Sequence, residues 1–107
     1  MNDRELLEMA AKAAGYDELR WSMLRQCFFD RSGVYWRPLD DDGDALRLAV
    51  KLQLQIRQND YDVMVVARLP AHIAVAEVCD HKYPCAATRR AIVRAAAEIG
   101  RQMEGTK

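Results

Sequence analysis

The spacing of hydrophobic residues changes along the chain, and each change predicts a different element of secondary structure. Between a capping Asn2 and a terminating Gly15, apolar residues recur at helical spacing from Leu6 to Ala14. A second helical pattern begins near Ala45, after an acidic run, and a third runs from Pro84 to about Met103. The pattern therefore predicts three helices.

The region between the first two helices has a weaker pattern. Leu19 to Phe29 fits both an alternating strand and one side of a helix. Two β-prone runs, Cys27 to Asp30 and Val34 to Arg37, surround the short turn Arg31-Ser32-Gly33, an arrangement typical of a hairpin. We therefore predict a hairpin, while the spacing alone leaves strand and helix open for Leu19 to Phe29.

Three further runs follow the second helix. Leu52, Leu54 and Ile56 alternate with Gln53, Gln55 and Arg57, as in a strand with one wet face, and the spacing leaves open where the helix ends and the strand begins. Asp62 to Leu69 is apolar on both faces, which is typical of a central strand covered on two sides, and His72 to Cys79 is its predicted antiparallel partner. The element order is then α-β-β-α-β-β-β-α in a single domain, residues 1–107. This order predicts an α+β fold with an antiparallel sheet of about four to five strands and helices on both faces, an α/β/α sandwich.

An acidic run stands where the second helix should begin. Pro38 ends the preceding strand, and Asp41 and Asp44 are spaced like a capping box at a helix N-terminus. The alternative is a calcium loop across Asp40 to Gly43, but its first and twelfth positions would be Pro38 and Ala49, which lack side-chain oxygens. We predict capping and no metal. The wide apolar arc of this helix also predicts that the helix lies between other elements.

The amino-acid sequences of two segments resemble those of a known family. WRPLDDDGDALRLAVKL and, near the C-terminus, ATRRAIVRAAAEIG resemble segments of the phage ABA sandwich domain family, which groups small phage and prophage proteins. The resemblance implies a sheet between helices. It implies no catalytic residues, because the family has no assigned chemistry.

Composition and charge narrow the classes of partner. The chain of 107 residues has 16 basic and 16 acidic side chains, so it lacks the broad positive field of a nucleic-acid or anionic-membrane binder. No apolar run reaches membrane-spanning length, and the N-terminus lacks the apolar core of a signal peptide. We expect a protein of the host cytoplasm without membrane contact.

The cysteines and histidines offer a weak metal signal. Cys79, His81 and Cys85 form a C-x-H-x-x-x-C pattern to which His72 could be added, whereas paired C-x-x-C motifs would be strong evidence for zinc. With Cys27 the cysteines number three, an odd set without regular spacing. We predict reduced thiols, no metal and no cofactor.

Two groups of side chains are candidates for partner binding. Aromatic residues on the predicted hairpin could form a patch, although such residues are more often part of a core: Trp21, Tyr35 and Trp36. Arginines form an outer stripe on the last helix, where Glu98 is placed to pair with two of them, and a solvated face is the plainer interpretation: Arg89, Arg90, Arg94 and Arg101.

From these features we predict a non-enzymatic phage or prophage accessory protein that acts as a small protein-binding module. Its partner would be a host or phage protein, and interference with a host process such as antiviral defence is one form this could take. The alternative is a nucleic-acid or phosphate-ligand binder that uses the arginines of the last helix. An enzyme is third, because the motifs supply no combination of nucleophile, base and orienting group.

Overall fold

The computed structural model of the protein describes residues 1–68, 73–78 and 82–105. The fold is α+β, and its described elements are, in chain order, α1 Asp3–Ala14, β1 Arg20–Ser22, β2 Cys27–Phe29, β3 Tyr35–Trp36, α2 Asp42–Lys51, β4 Gln55–Gln58, β5 Asp62–Ala67, β6 Ile73–Val78 and α3 Pro84–Gly105.

Both ends of α1 follow from local side-chain chemistry. The Asn2 Oδ1 accepts a hydrogen bond from the Glu5 backbone N–H at 2.8 Å, which satisfies one of the free donors of the first turn. At the other end Gly15 adopts the left-handed conformation with φ 78°, and the Tyr16 N–H donates to the Ala11 carbonyl. The predicted cap and terminator of this helix are confirmed.

The first sheet has the order β1-β2-β3 and is antiparallel throughout. The predicted hairpin is confirmed, because Phe29 pairs with Tyr35 across the turn. The residues for which strand and helix were both open form two strands, β1 and β2, so three strands precede α2 where the predicted order had two. Gln26 closes the turn between them at φ 54°, a conformation that a continuous helix does not contain.

The second sheet has the order β4-β5-β6 and is also antiparallel. Val65 of β5 pairs with Ile56 on one side and with Val75 on the other, so β5 is the central strand as predicted. The strand that follows α2, whose start the spacing left open, begins at Gln55. Of the strand predicted over His72–Cys79, the two end residues lie outside the described residues.

The prediction of one sheet of four to five strands with helices on both faces is not confirmed. The described strands divide into two three-stranded sheets, separated in the chain by α2. Helix α3 packs on β5 and β6, whereas α1 and α2 make their extensive contacts with α3. Apolar periodicity identifies strands but carries no information on which of them pair, and this is why the prediction merged the two sheets.

Helix α3 forms the centre of the core. Its predicted inner residues Ile92, Ala95, Ala96 and Ile99 are buried, while Met103 is exposed, contrary to the prediction. The α1–α3 contact is close enough that a Cβ added to Gly100 would lie 2.0 Å from the Met9 carbonyl oxygen. The small residues of α3 therefore set the distance between the two helices.

The prediction that α2 lies between other elements is wrong. Ala45, Leu48 and Ala49 are buried, but Leu46 and Val50 are 59% and 68% exposed. The apolar arc of this helix is wider than the surface that the described residues cover.

Candidate functional site

A cleft opens where the loop after α1 faces the turn between β2 and β3. Its volume is about 510 Å³, within the range of small-ligand and side-chain pockets. Three aromatic side chains contribute to its wall, Tyr16, Tyr35 and Trp36. We call this feature the aromatic cleft.

The aromatic wall is held by ring contacts and by a cation. Tyr16 and Trp36 meet edge to face, with ring centroids 5.6 Å apart and planes at 84°. The Lys51 Nζ lies 4.5 Å from the centroid of the Tyr16 ring, a cation–π distance. The Tyr16 ring is thereby fixed between α2 and the first sheet.

Carboxylates form the rim of the aromatic cleft. Glu18 accepts a hydrogen bond from Arg31 at 2.7 Å, so this ion pair joins the two sides of the cleft. Asp44 pairs with Arg47 at 2.7 Å. This hydrogen bond raises the pKa of the Arg47 guanidinium. In the part of the chain that the structure describes, the Asp30 carboxylate accepts hydrogen bonds only from backbone N–H groups of its own turn. With Asp17, which also lines the cleft, the rim has more carboxylates than the cations paired with them.

The three aromatic residues predicted to bind a partner do not form one exposed patch. Tyr35 is 43% exposed, whereas Trp21 and Trp36 are half-buried against the core. Trp21 meets Phe28 edge to face at 5.0 Å. The Arg25 guanidinium lies 5.7 Å from the centroid of the Tyr35 ring. Tyr35 and Trp36 line the aromatic cleft, and Trp21 belongs to a different surface.

Sequence reasoning missed the tip of the β1–β2 turn. Met23 and Leu24 are there, and Leu24 is 89% exposed. The sequence did contain an indication of this exposed site, because an apolar pair at the tip of a β-turn cannot reach the core of its own sheet. The indication was missed because the same residues also fit a helical spacing with Leu19 and Cys27.

Arg89 is a structural residue. Its Nε donates to the Leu39 carbonyl at 2.9 Å and its Nη1 to the Asp42 carboxylate at 2.6 Å, and its side chain is only 19% exposed. It therefore joins α3 to the start of α2.

The other arginines of α3 also have carboxylate partners. Arg90 donates to Asp3 of α1 at 3.1 Å, and Arg94 to Glu77 of β6 at 2.5 Å. Arg101 pairs with Glu98, as predicted, and this hydrogen bond lowers the pKa of the Glu98 carboxyl. The predicted stripe is a set of ion pairs, most of them to other elements.

The acidic run caps α2. The Asp41 Oδ2 accepts from the Asp44 N–H at 2.8 Å, which confirms Asp41 as the N-cap. The reciprocal bond of a capping box is replaced, because Asp44 accepts from the Arg37 N–H at 2.9 Å. In residues 1–68, 73–78 and 82–105, no group of three or more His, Cys, Asp or Glu is placed to hold a metal ion.

Two of the three cysteines are described, and both are free thiols, Cys27 buried and Cys85 exposed. Cys79, His81 and His72, which would complete the weak zinc pattern, lie outside the described residues.

In comparisons with known proteins, the chain matches no family model, no curated protein and no solved structure. No helix within the described part of the chain is both long and apolar enough to span a membrane. The description of the protein therefore rests on the residues that the structure describes, which form three helices and two three-stranded antiparallel sheets, with the aromatic cleft beside the first sheet.

Proposed function

We propose that the protein is a non-enzymatic protein-binding module that holds a basic segment of its partner in the aromatic cleft. The observation that carries the proposal is the combination of aromatic walls with a carboxylate-rich rim in one cleft of about 510 Å³. Aromatic rings supply large contact areas at low entropic cost, and their faces attract cations. An arginine or lysine side chain matches both features.

The protein already binds cations on its aromatic residues. Arg4, Arg25 and Lys51 lie 5.2, 5.7 and 4.5 Å from the ring centroids of Trp21, Tyr35 and Tyr16. All three contacts fall within the first half of the chain. The Glu18–Arg31 pair is the internal analogue of the contact that we assign to the partner.

The alternative, a nucleic-acid or phosphate-ligand binder, has less support. A phosphate contact on Arg89, Arg90 or Arg94 would compete with Asp42, Asp3 or Glu77. Each carboxylate places a negative charge beside its arginine and so weakens the attraction of that arginine for phosphate. Binding to DNA or RNA at physiological salt should therefore be weak and non-specific.

The resemblance of two segments to small phage proteins is the basis on which we propose a phage or prophage accessory protein in the host cytoplasm. Its partner is then a host or phage protein, and interference with a host process such as antiviral defence is one consistent role.

Selection of peptides from a random display library tests the proposed ligand chemistry without knowledge of the partner. Wild-type protein and Tyr61→Ala should enrich sequences that contain arginine or lysine next to an apolar residue, and Tyr35→Ala should not. Tyr61 is the matched control because it is also exposed and lies outside the cleft. Enrichment of acidic sequences, or the same sequences on Tyr35→Ala, would overturn the proposal.

A further inference from the structure

The ion pair between Glu18 and Arg31 stands where two clefts meet. Both residues line the aromatic cleft, and both also line a second cleft of about 690 Å³, to which Arg20 and Phe29 contribute. The pair joins the loop after α1 to the turn between β2 and β3. A side chain placed at this pair therefore borders both the aromatic cleft and the second cleft.

The protein already holds a guanidinium at this boundary. The Arg31 Nη2 donates to the Glu18 Oε1 at 2.7 Å, the usual length of a charge-assisted hydrogen bond. This bond shows that the Glu18 carboxylate can receive a cation between the two clefts. Asp17, the residue before Glu18, is exposed and adds a second negative charge to the same walls.

Two other carboxylates of the aromatic cleft are used by the fold. Asp30 accepts hydrogen bonds from two backbone N–H groups and so holds the β2–β3 turn. Asp44 accepts from the Arg37 N–H, and its side chain is largely buried. Glu18 differs, because the partner that the described residues supply to it is a side chain, that of Arg31.

Arg31 can leave Glu18 without a change in the backbone. Both side chains are mainly exposed, and ion pairs of this kind contribute little stability. The turn that carries Arg31 is fixed by its own backbone, since the Gly33 N–H donates to the Asp30 carbonyl and the Asp30 N–H to the Val34 carbonyl, both at 3.0 Å. Rotation of the Arg31 side chain is therefore sufficient to free the Glu18 carboxylate.

We propose that Glu18 receives the cation of the partner's basic segment, and that Arg31 occupies Glu18 in the free protein as a built-in competitor. The inference rests on the proposed function and adds to it the carboxylate that recognises the cation. On binding, the partner's arginine or lysine takes the place of the Arg31 guanidinium, which turns toward solvent. The number of ion pairs is unchanged by the exchange.

This exchange determines which segments bind. A cation alone gains at Glu18 about what is lost when Arg31 leaves, so charge by itself provides little net affinity. A segment that also places an apolar group against the aromatic wall gains the contact area of the rings. Arg31 weakens the binding of every basic segment, so the site selects those that combine a cation with an apolar residue.

Fluorescence anisotropy with a fluorescein-labelled peptide of three Leu-Arg repeats tests the competition. Arg31→Ala should bind this peptide about two- to five-fold more tightly than the wild type, the range that corresponds to an exposed ion pair. Glu18→Gln should bind it more weakly. Arg20→Ala is the matched control, because it removes the same charge from the second cleft and leaves the Glu18–Arg31 pair intact. Its effect should be smaller than that of Arg31→Ala.

A double-mutant cycle tests whether Arg31 acts through Glu18. In Glu18→Gln protein, Arg31→Ala should leave the dissociation constant unchanged, because there is no carboxylate for it to vacate. In Asp17→Asn protein, which lacks the neighbouring charge instead, Arg31→Ala should still tighten binding. Tightening that persists in Glu18→Gln protein would overturn the inference, as would an Arg31→Ala protein that binds no more tightly than the wild type.

Tyr35→Ala separates this inference from the proposed function. If the wild type binds the peptide and Tyr35→Ala does not, the proposed function stands, and the Arg31→Ala and Glu18→Gln results decide the inference alone. Equal binding by the wild type and Tyr35→Ala, or no binding by any of the proteins, would overturn both.

Discussion

Arg89 of the last helix donates a hydrogen bond to the Asp42 carboxylate at 2.6 Å, across 47 residues of sequence. The same guanidinium holds the Leu39 carbonyl just before that helix begins. The pair therefore joins α3 to the start of α2, next to the segment that leads from Tyr35 and Trp36 of the aromatic cleft.

Arg89→Ala should destabilise the protein by about 1–3 kcal/mol, because it removes two hydrogen bonds of a largely buried guanidinium and leaves the Leu39 carbonyl unpaired. Urea denaturation followed by circular dichroism measures the change. Arg31→Ala is the control: its pair with Glu18 is mainly exposed, and the stability should hardly change. Equal losses for the two variants would contradict a structural role specific to Arg89.

Asp41→Ala should lower the free energy of unfolding by about 1 kcal/mol, the usual cost of a lost N-cap. Asp40→Ala, one residue earlier, should have little effect because Asp40 is exposed and does not cap the helix. Calcium or magnesium should leave the melting temperature of the wild type unchanged. A rise of several degrees on metal addition would mean that the acidic run binds the ion.

Gly100→Ala should be destabilising by about 1–3 kcal/mol, the range for overpacking, although alanine is the better helix former by about 1 kcal/mol. The new methyl group would collide with the Met9 backbone, which cannot move without shifting α1. Gly43→Ala is the matched change in α2, where the added methyl group meets the Arg47 and Asp41 side chains. We expect that variant to be neutral or stabilised, so a comparable loss of stability in thermal unfolding would refute the explanation.

Burial raises the pKa of the Cys27 thiol above its ordinary value of 9.0, and the nearby Arg37 opposes this only in part. The folded state therefore favours the neutral thiol. The contribution of the neutral thiol to the free energy of unfolding is fully present below the ordinary pKa. It is lost as the pH rises through the raised pKa of the folded state.

Urea midpoints measured on both sides of pH 9.0 should fall more steeply with pH for the wild type than for Cys27→Ala. Cys85→Ser should match the wild type, because Cys85 is exposed. Identical slopes for all three proteins would show that Cys27 does not contribute to the alkaline loss.

The features that were predictable from the sequence are those set by neighbouring residues. Asn2 and Asp41 cap helices through bonds to N–H groups three residues ahead, and Pro84 opens α3 because it lacks the N–H that a first turn cannot use. The hairpin between β2 and β3 follows from its glycine turn.

The features that were missed depend on distant contacts. The carboxylate partners of Arg89, Arg90 and Arg94 lie 47, 87 and 17 residues away in sequence. The spacing of side chains along one helix therefore could not identify them. Hydrophobic spacing likewise did not show which part of the α2 arc would remain exposed. The aromatic cleft combines side chains from the loop after α1, from β3 and from α2, and only the tertiary fold brings them together.

The most direct test of the proposed binding function is quantitative affinity capture from host lysate treated with nuclease, with the wild type, Tyr35→Ala and Tyr61→Ala as baits. We predict a protein partner that is retained by the wild type and Tyr61→Ala, survives nuclease treatment and is lost with Tyr35→Ala. The contrary result is a captured set that nuclease abolishes and that Tyr35→Ala leaves unchanged.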